Sequence, residues 1–297
     1  MTSVPRSTAS PASPRARATL HASKYQGLGN DFLVALLPEV PAGAAALARR
    51  VCARRTGVGA DGLLLGTPTT RPGVDLVFHL WNADGSTAEI SGNGIRCLAH
   101  AEARRRGVET VDLVIETPAG DRTLRLRPGV HGDQVVASVT MGSARPGPVV
   151  DSLPTAPTVT ARRIVTVDLG NPHVVVLVDD PDAVDVAVAG PLIEAAFAGG
   201  INVHFIAPTD DGGLRLRVWE RGAGLTEACG SGATAAAFAA HEWGLVTDRV
   251  RVAMPGGEAE VIIGDELTLI GPSEFIADVE IPEQDHPEQN HEVATRG

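Results

Sequence analysis

The sequence predicts a mixed α/β protein made of two similar halves, and three observations carry that reading. Short β-branched runs alternate with Ala-rich stretches of helical periodicity along most of the 297 residues. Trp81 and Trp219 close similar strand-like runs 138 residues apart (219 − 81), and Ser91 and Cys229 open similar Glu-x-[Ser/Cys]-Gly-x-Gly segments at the same separation (229 − 91). Upstream, "GNDFLV" (29–34) resembles "GNPHVV" (170–175) at a separation of 141 (170 − 29), which leaves room for a small insertion. Gly-rich turns before helices also recur by chance. Three markers in one order favour a repeat, with halves over about 24–140 and 160–278.

Residues 1–22 are rich in Ser, Pro, Ala and Arg and contain no acid, so they read as a disordered tail; an organelle transit peptide or a mis-chosen start codon fits the same composition. Strands are expected at "DLVFHLW" (75–81), "VDLVIET" (111–117), "VVASVTM" (135–141), "IVTVDLG" (164–170), "HVVVLVD" (173–179), "LRLRVWE" (214–220) and "RVRVAM" (249–254). Helices are expected over 42–55, 94–106, 189–199 and 232–243. The halves are placed at 23–150 and 151–281. The remaining 282–297, "PEQDHPEQNHEVATRG", is polar and reads as a frayed end.

Composition narrows the function. A net charge of −11 argues against a nucleic-acid partner, because displacing counterions needs clustered Lys and Arg, and Arg104-Arg105-Arg106 is most simply a solvated helix face. No apolar run reaches membrane-spanning length, so no membrane role is expected. The three cysteines Cys52, Cys97 and Cys229 are unpatterned for disulfides and fit a reducing cytosol. His173 and His204 lie in strand-like runs, but no His-x-x-x-His or Cys-x-x-Cys spacing supports a metal site, and no dinucleotide or Walker-type motif calls for a cofactor.

The chemistry is expected at the paired turns. Each Glu-x-[Ser/Cys]-Gly-x-Gly precedes a helical run, where glycines permit close backbone approach and the first amides point out unpaired. Such an end attracts a carboxylate and is expected to lower the pKa of a thiol placed there, as Cys229 is. If both helix starts face one cleft, a substrate carboxylate takes hydrogen bonds from the amides of Gly92 and Asn93 on one side and Gly230 and Ser231 on the other. Ser91 and Cys229 then flank the carbon bearing that carboxylate. Two acid/base groups on opposite faces of one carbon are what inversion requires. Simple helix capping accounts well for Ser91 and poorly for Cys229. Cys97 stands about 9 Å up the helix from Ser91 and on another face, so it reads as a core thiol, as does Cys52.

These residues resemble a known family. "YQGLGNDFLV" (25–34), "WNADGSTAEISGNGIRCLAH" (81–100), "DLGNPHVVV" (168–176), "INVHFI" (201–206) and "VWERGAGLTEACGSGATAAAFAA" (218–240) look like the successive signatures of diaminopimelate epimerase. The resemblance implies two pseudo-symmetric halves, each a β-barrel-like sheet around a central helix, with the active site between them. It implies a cytoplasmic, cofactor-independent homodimer that interconverts LL- and meso-2,6-diaminopimelate by two bases, supplying lysine and peptidoglycan precursors. Cys229 matches one catalytic cysteine, and Ser91 stands where the other is expected. Asn30, Asn82, Asn171, Asn202, Glu220 and Arg221 match substrate contacts. His173 and Glu220 match residues close to the reacting centre. Without the resemblance, Asn30, Asn82 and Asn171 read as turn residues beside Gly, Asp or Pro, Glu220 and Arg221 as a surface ion pair, and His173 as a satisfied core histidine.

Ser91 departs from the family pattern. A hydroxyl is a far weaker acid than a thiol and needs a strong local field or a relay partner to act as a base. A working epimerase is the favoured reading. Another racemase, epimerase or dehydratase of the superfamily and a catalytically impaired amino-acid-binding protein are the alternatives.

Overall fold

The computed structural model describes residues 19–149 and 152–282; residues 1–18 of the tail expected over 1–22, the junction at 150/151 and residues 283–297 of the end segment expected over 282–297 lie outside them. The N-terminal half runs β1 (Thr19–Gly27), β2 (Asn30–Leu36), α1 (Ala44–Cys52), β3 (Gly62–Thr67), β4 (Leu76–Asn82), α2 (Gly92–Arg106), β5 (Val111–Thr117), β6 (Gly120–Pro128) and β7 (Gln134–Gly142). The C-terminal half repeats that order after a short β8 (Arg145–Pro146): β9 (Arg163–Asp168), β10 (Pro172–Leu177), α3 (Val186–Glu194), β11 (Asn202–Pro208) and β12 (Leu214–Glu220). It continues with β13 (Gly224–Leu225), α4 (Gly230–Glu242), β14 (Arg249–Met254), β15 (Gly257–Ile262) and β16 (Leu267–Pro282).

The repeat is visible in the pairing. β2 and β3 are parallel with α1 as crossover, as are β10 and β11 with α3; β4 and β5 are parallel across α2, as are β12 and β14 across α4. Trp81 bridges Thr87 as Trp219 bridges Leu225. Parallel strands with helices on both faces should be apolar throughout, and β2, β3, β10 and β11 are almost wholly buried. β6 and β7 alternate buried and exposed positions, with one face to the core and one to solvent.

β16 departs from the expected division into halves. Its first part pairs with β15 and β7, and its last nine residues pair with β1, closing β1 to β7 and β16 into an eight-stranded ring. Residues 19–22, expected in the tail, are therefore strand, because the backbone of β16 supplies their hydrogen-bond partners. A helix enclosed by strands must be buried all round, and α2 is buried from Gly92 to Ala103. Its polar members are paired: Arg96 donates to Pro272 O, Gly92 O and Asn93 Oδ1, and Glu102 pairs with Arg105 and Arg106. α4 occupies the matching place in the second half, and both helices join one core. Among the described residues no helix is long and apolar enough to cross a membrane.

Candidate active site

The two helix starts meet end to end. A Cβ built on Gly92 would fall 2.9 Å from Gly230 Cα, and one on Gly230 would fall 2.8 Å from Gly92 Cα, so only glycine permits the approach. Ser91 (φ −133°, ψ 120°) and Cys229 (φ −130°, ψ 112°) cap them with nearly the same backbone. Ser91 Oγ accepts from Gly94 N at 3.0 Å and Cys229 Sγ from Gly232 N at 3.3 Å. Cysteine thus does cap this helix, and capping alone does not tell the two residues apart. The earliest helix amides, including those of Gly92, Asn93, Gly230 and Ser231, have no intrahelical acceptors and face the junction between halves.

What separates the caps is their surroundings. Glu220 lies in hydrogen-bond contact with the Cys229 thiol and is itself anchored by Thr226 Oγ1 at 2.5 Å. The position 138 residues earlier holds Asn82, which donates to Ser86 Oγ, so the Ser91 half lacks a matching carboxylate. Among the described residues Ser91 Oγ has the Gly94 amide as its hydrogen-bond partner and no adjacent base.

The expected lowering of the Cys229 pKa is not found. Burial, followed by the charge of Glu220, raises the thiol well above its usual range, and the Ser231 hydroxyl and Gly232 amide offset this only in part. The helix end acts against desolvation of a 3% exposed thiol and loses. Burial likewise raises Glu220, with Asp61 adding to it against the hydrogen bonds from Thr226 and Cys229. Both members of the pair therefore hold a proton more tightly than usual, and the thiol rests protonated. Cys52 and Cys97 are buried core thiols with pKa values pushed by burial up to about 12 and about 11.

Asn30, Asn82, Ser91, Asn171, Asn202, Glu220 and Arg221 line one narrow cleft between the halves. Its cavity volume, about 50 Å³, is one or two waters' worth, so a ligand must spread the walls. A basin of about 470 Å³, lined by residues such as Arg54, Asp84 and Glu227, shares Asp61, Asn82 and Ala223 with it. The larger cavity of about 700 Å³ between β1, β2, α2 and β16 contains none of the candidate residues.

The side chains on the cleft wall are held from behind. The β1–β2 hairpin turns through Leu28 and Gly29, both at positive φ (56° and 79°), and delivers Asn30 to the cleft. Asn30 Nδ2 donates to Asp61 Oδ2 at 2.6 Å and its Oδ1 accepts from Asn93. Asn93 also donates to Ala228 O at 3.0 Å, so its side chain ties the halves together and only its backbone remains for a ligand. Asn202 Oδ1 accepts from Arg221 N, and Arg221 Nη2 donates to Glu89 Oε2 at 2.8 Å.

His173, expected close to the reacting centre, is buried behind Asn171. One ring nitrogen contacts Asn171 Oδ1 at 2.9 Å and the other His204 Nε2 at 2.8 Å. Desolvation, then the neighbouring His204 and Arg221, holds His173 neutral, and desolvation pushes His204 down to about 3. A neutral His173 donates from Nε2 to Asn171 and accepts at Nδ1 from His204, fixing the Asn171 amide with its NH₂ left for the cleft. Among the described residues no three His, Cys, Asp or Glu side chains converge to hold a metal ion.

Sequence reasoning missed Asp61, Glu89 and Thr226, and weighed His204 only as a metal ligand. Glu89 and its counterpart Glu227 were visible as the first letter of the repeated motif; Asp61 and Thr226 carry no local signal.

The model of the diaminopimelate epimerase family matches residues 22–146 and 165–275, nearly the whole described chain. The chain belongs to the diaminopimelate epimerase family. It is 40% identical to the diaminopimelate epimerase of Desulforudis audaxviator over 280 residues, 86% of this chain and 97% of that one. With the diaminopimelate epimerase of Xylella fastidiosa (strain M23) it shares 37% identity over 278 residues, 88% and 96% of the two chains. Its fold resembles a hydroxyproline epimerase from Agrobacterium vitis with bound trans-4-hydroxy-L-proline (TM-score 0.71, 16% identity, 92% and 95% covered). It also resembles a phenazine biosynthesis protein of the PhzF family from Bacillus anthracis (TM-score 0.61, 16% identity, 90% and 100% covered). Diaminopimelate epimerases thus share their two-half architecture with proteins of distant sequence.

Proposed function

We propose that the protein is an isomerase that inverts one α-carbon of 2,6-diaminopimelate, interconverting the LL and meso forms without a cofactor. The observation that carries this is the pair of caps, Ser91 and Cys229, on helix starts that meet at Gly92 and Gly230. The reacting carboxylate accepts hydrogen bonds from the amides of Gly92, Asn93, Gly230 and Ser231, where the helix ends stabilise the charge that develops as the α-proton leaves. Arg221 pairs with the distal carboxylate, and Asn30, Asn82, Asn171 and Asn202 supply the neutral donors and acceptors around both amino-acid ends.

In one direction Glu220 takes the thiol proton, the Cys229 thiolate removes the α-proton, and Ser91 Oγ–H delivers a proton to the opposite face. In the other direction Ser91 must remove the α-proton with no base beside it, while the Cys229 thiol is already the proton donor. His173 acts through Asn171 rather than at the reacting carbon. Deuterium incorporation at the α-carbon from heavy water with LL-diaminopimelate tests the reading; pure protein that gives no exchange with either isomer overturns it. A cytoplasmic homodimer follows from the family resemblance, and light scattering on the eluting protein checks the assembly.

A further inference from the structure

The residue of the cleft with the clearest unassigned role is Glu89. It lies two positions before Ser91, in the connection between β4 and α2, and its carboxylate reaches across to Arg221 of the other half at 2.8 Å. Arg221 is held at its backbone by Asn202 Oδ1, so the guanidinium projects from a fixed base. Both side chains line the narrow cleft, with 42% and 28% of their surface exposed. The fold does not require this pair. Position 83, the counterpart of Arg221, is alanine, and Glu227, the counterpart of Glu89, is in no ion pair among the described residues.

We infer that Glu89 is a built-in stand-in for the distal carboxylate of the substrate: it occupies Arg221 in the ligand-free protein, latches the two halves together, and is displaced by an entering dicarboxylate. Two considerations support the exchange. The cleft has about 50 Å³ of space, too little for an amino acid, so a ligand seated beside Arg221 needs its walls to part. The ion pair that bridges those walls holds the cation that the proposed distal carboxylate needs. A ligand with a distal carboxylate replaces the broken ion pair with an equivalent one; a ligand without it leaves Arg221 unpaired in a partly desolvated site. Glu89 thereby selects for diacids. The identity of the displacing carboxylate rests on the diaminopimelate reading; the latch does not.

The test has one arm without substrate. The Cys229 thiol is alkylated by iodoacetamide at fixed pH and its modification is followed by peptide mass separately from Cys52 and Cys97, since all three thiols are buried in the closed protein. A half-exposed ion pair is worth a small free energy, so Glu89→Gln is expected to speed alkylation roughly two- to fivefold. Glu89→Asp keeps the charge but shortens the reach, and it is expected to speed alkylation as well. An unchanged rate in Glu89→Gln overturns the latch. Acceleration in Glu89→Gln alone, with Glu89→Asp like the wild type, also overturns it, because that pattern reports only the charge near the thiol. In the second arm, calorimetry is expected to show meso-diaminopimelate binding to Glu89→Gln more tightly by a similar factor. Weaker binding means that Glu89 holds the substrate, not the latch. Failure of the epimerase reading shows instead as absent α-proton exchange with the alkylation result intact.

Discussion

At the scale of single residues, the proposed inversion rests on two unequal groups. Cys229 has Glu220 in contact and Ser91 has only a backbone amide. Replacing Ser91 by Cys is expected to raise exchange of the isomer whose α-proton faces that side by on the order of 100-fold, and to change the other isomer little, as isomer-resolved NMR in heavy water would show. Glu220→Gln carries two opposite effects. It removes a charge that raises the thiol, so the pH profile of Cys229 alkylation moves to lower pH; it also removes the proton acceptor, so epimerisation slows. In the wild type the raised thiol pKa leaves little thiolate at pH 7. Alkylation is therefore expected to keep rising with pH beyond the range where an ordinary thiol has levelled off. A plateau below pH 9 contradicts the burial argument.

At the scale of elements, the geometry depends on two helices touching at their first residues. Gly230→Ala brings a methyl against the Gly92 backbone, where nothing flexible can yield. The expected loss is about 1–3 kcal/mol in urea unfolding, together with loss of exchange activity. Gly107→Ala is the control, since its added Cβ meets nothing within 4 Å and only the positive φ of 67° opposes it. The elements that sequence reasoning found and missed sort by environment. The alternating runs at 111–117 and 135–141 were legible because one face meets water. "GLLLGT" of β3 is buried on both faces and has no period to read. β16 was hidden by Gly271-Pro272, a pair that reads as a break yet lies within the strand, where Pro272 O accepts from Arg96.

At the scale of the whole molecule, the duplication was legible because it leaves exact spacings such as Trp81 to Trp219, and it pointed to the two helix starts that the structure brings together. Contacts across the halves were not legible. Glu89 and Arg221 are 132 positions apart, and nothing near either names the other. Nor did the sequence show how deeply Cys229 is buried, which reversed the sign of its expected shift. The same enclosure sets an acid limit on stability. Burial pushes His204 down to about 3 and His100 to about 4, and holds His173 well below its usual value. Histidines depressed in the folded state contribute stability that is full above about pH 6.5, the unfolded value, and is lost as pH falls toward the folded values. The melting temperature is expected to decline steadily from about pH 6.5 to pH 4, with His204→Asn flattening that slope.

The central claim, a two-base inversion with a strong half at Cys229 and a weak half at Ser91, is tested most directly by α-deuterium uptake from each pure isomer of diaminopimelate. The measurement compares wild type with Ser91→Cys. The account predicts that the wild type exchanges one isomer at least tenfold faster than the other and that the substitution narrows the gap. Equal exchange from both isomers in the wild type, or exchange that survives Cys229→Ala unchanged, would contradict it.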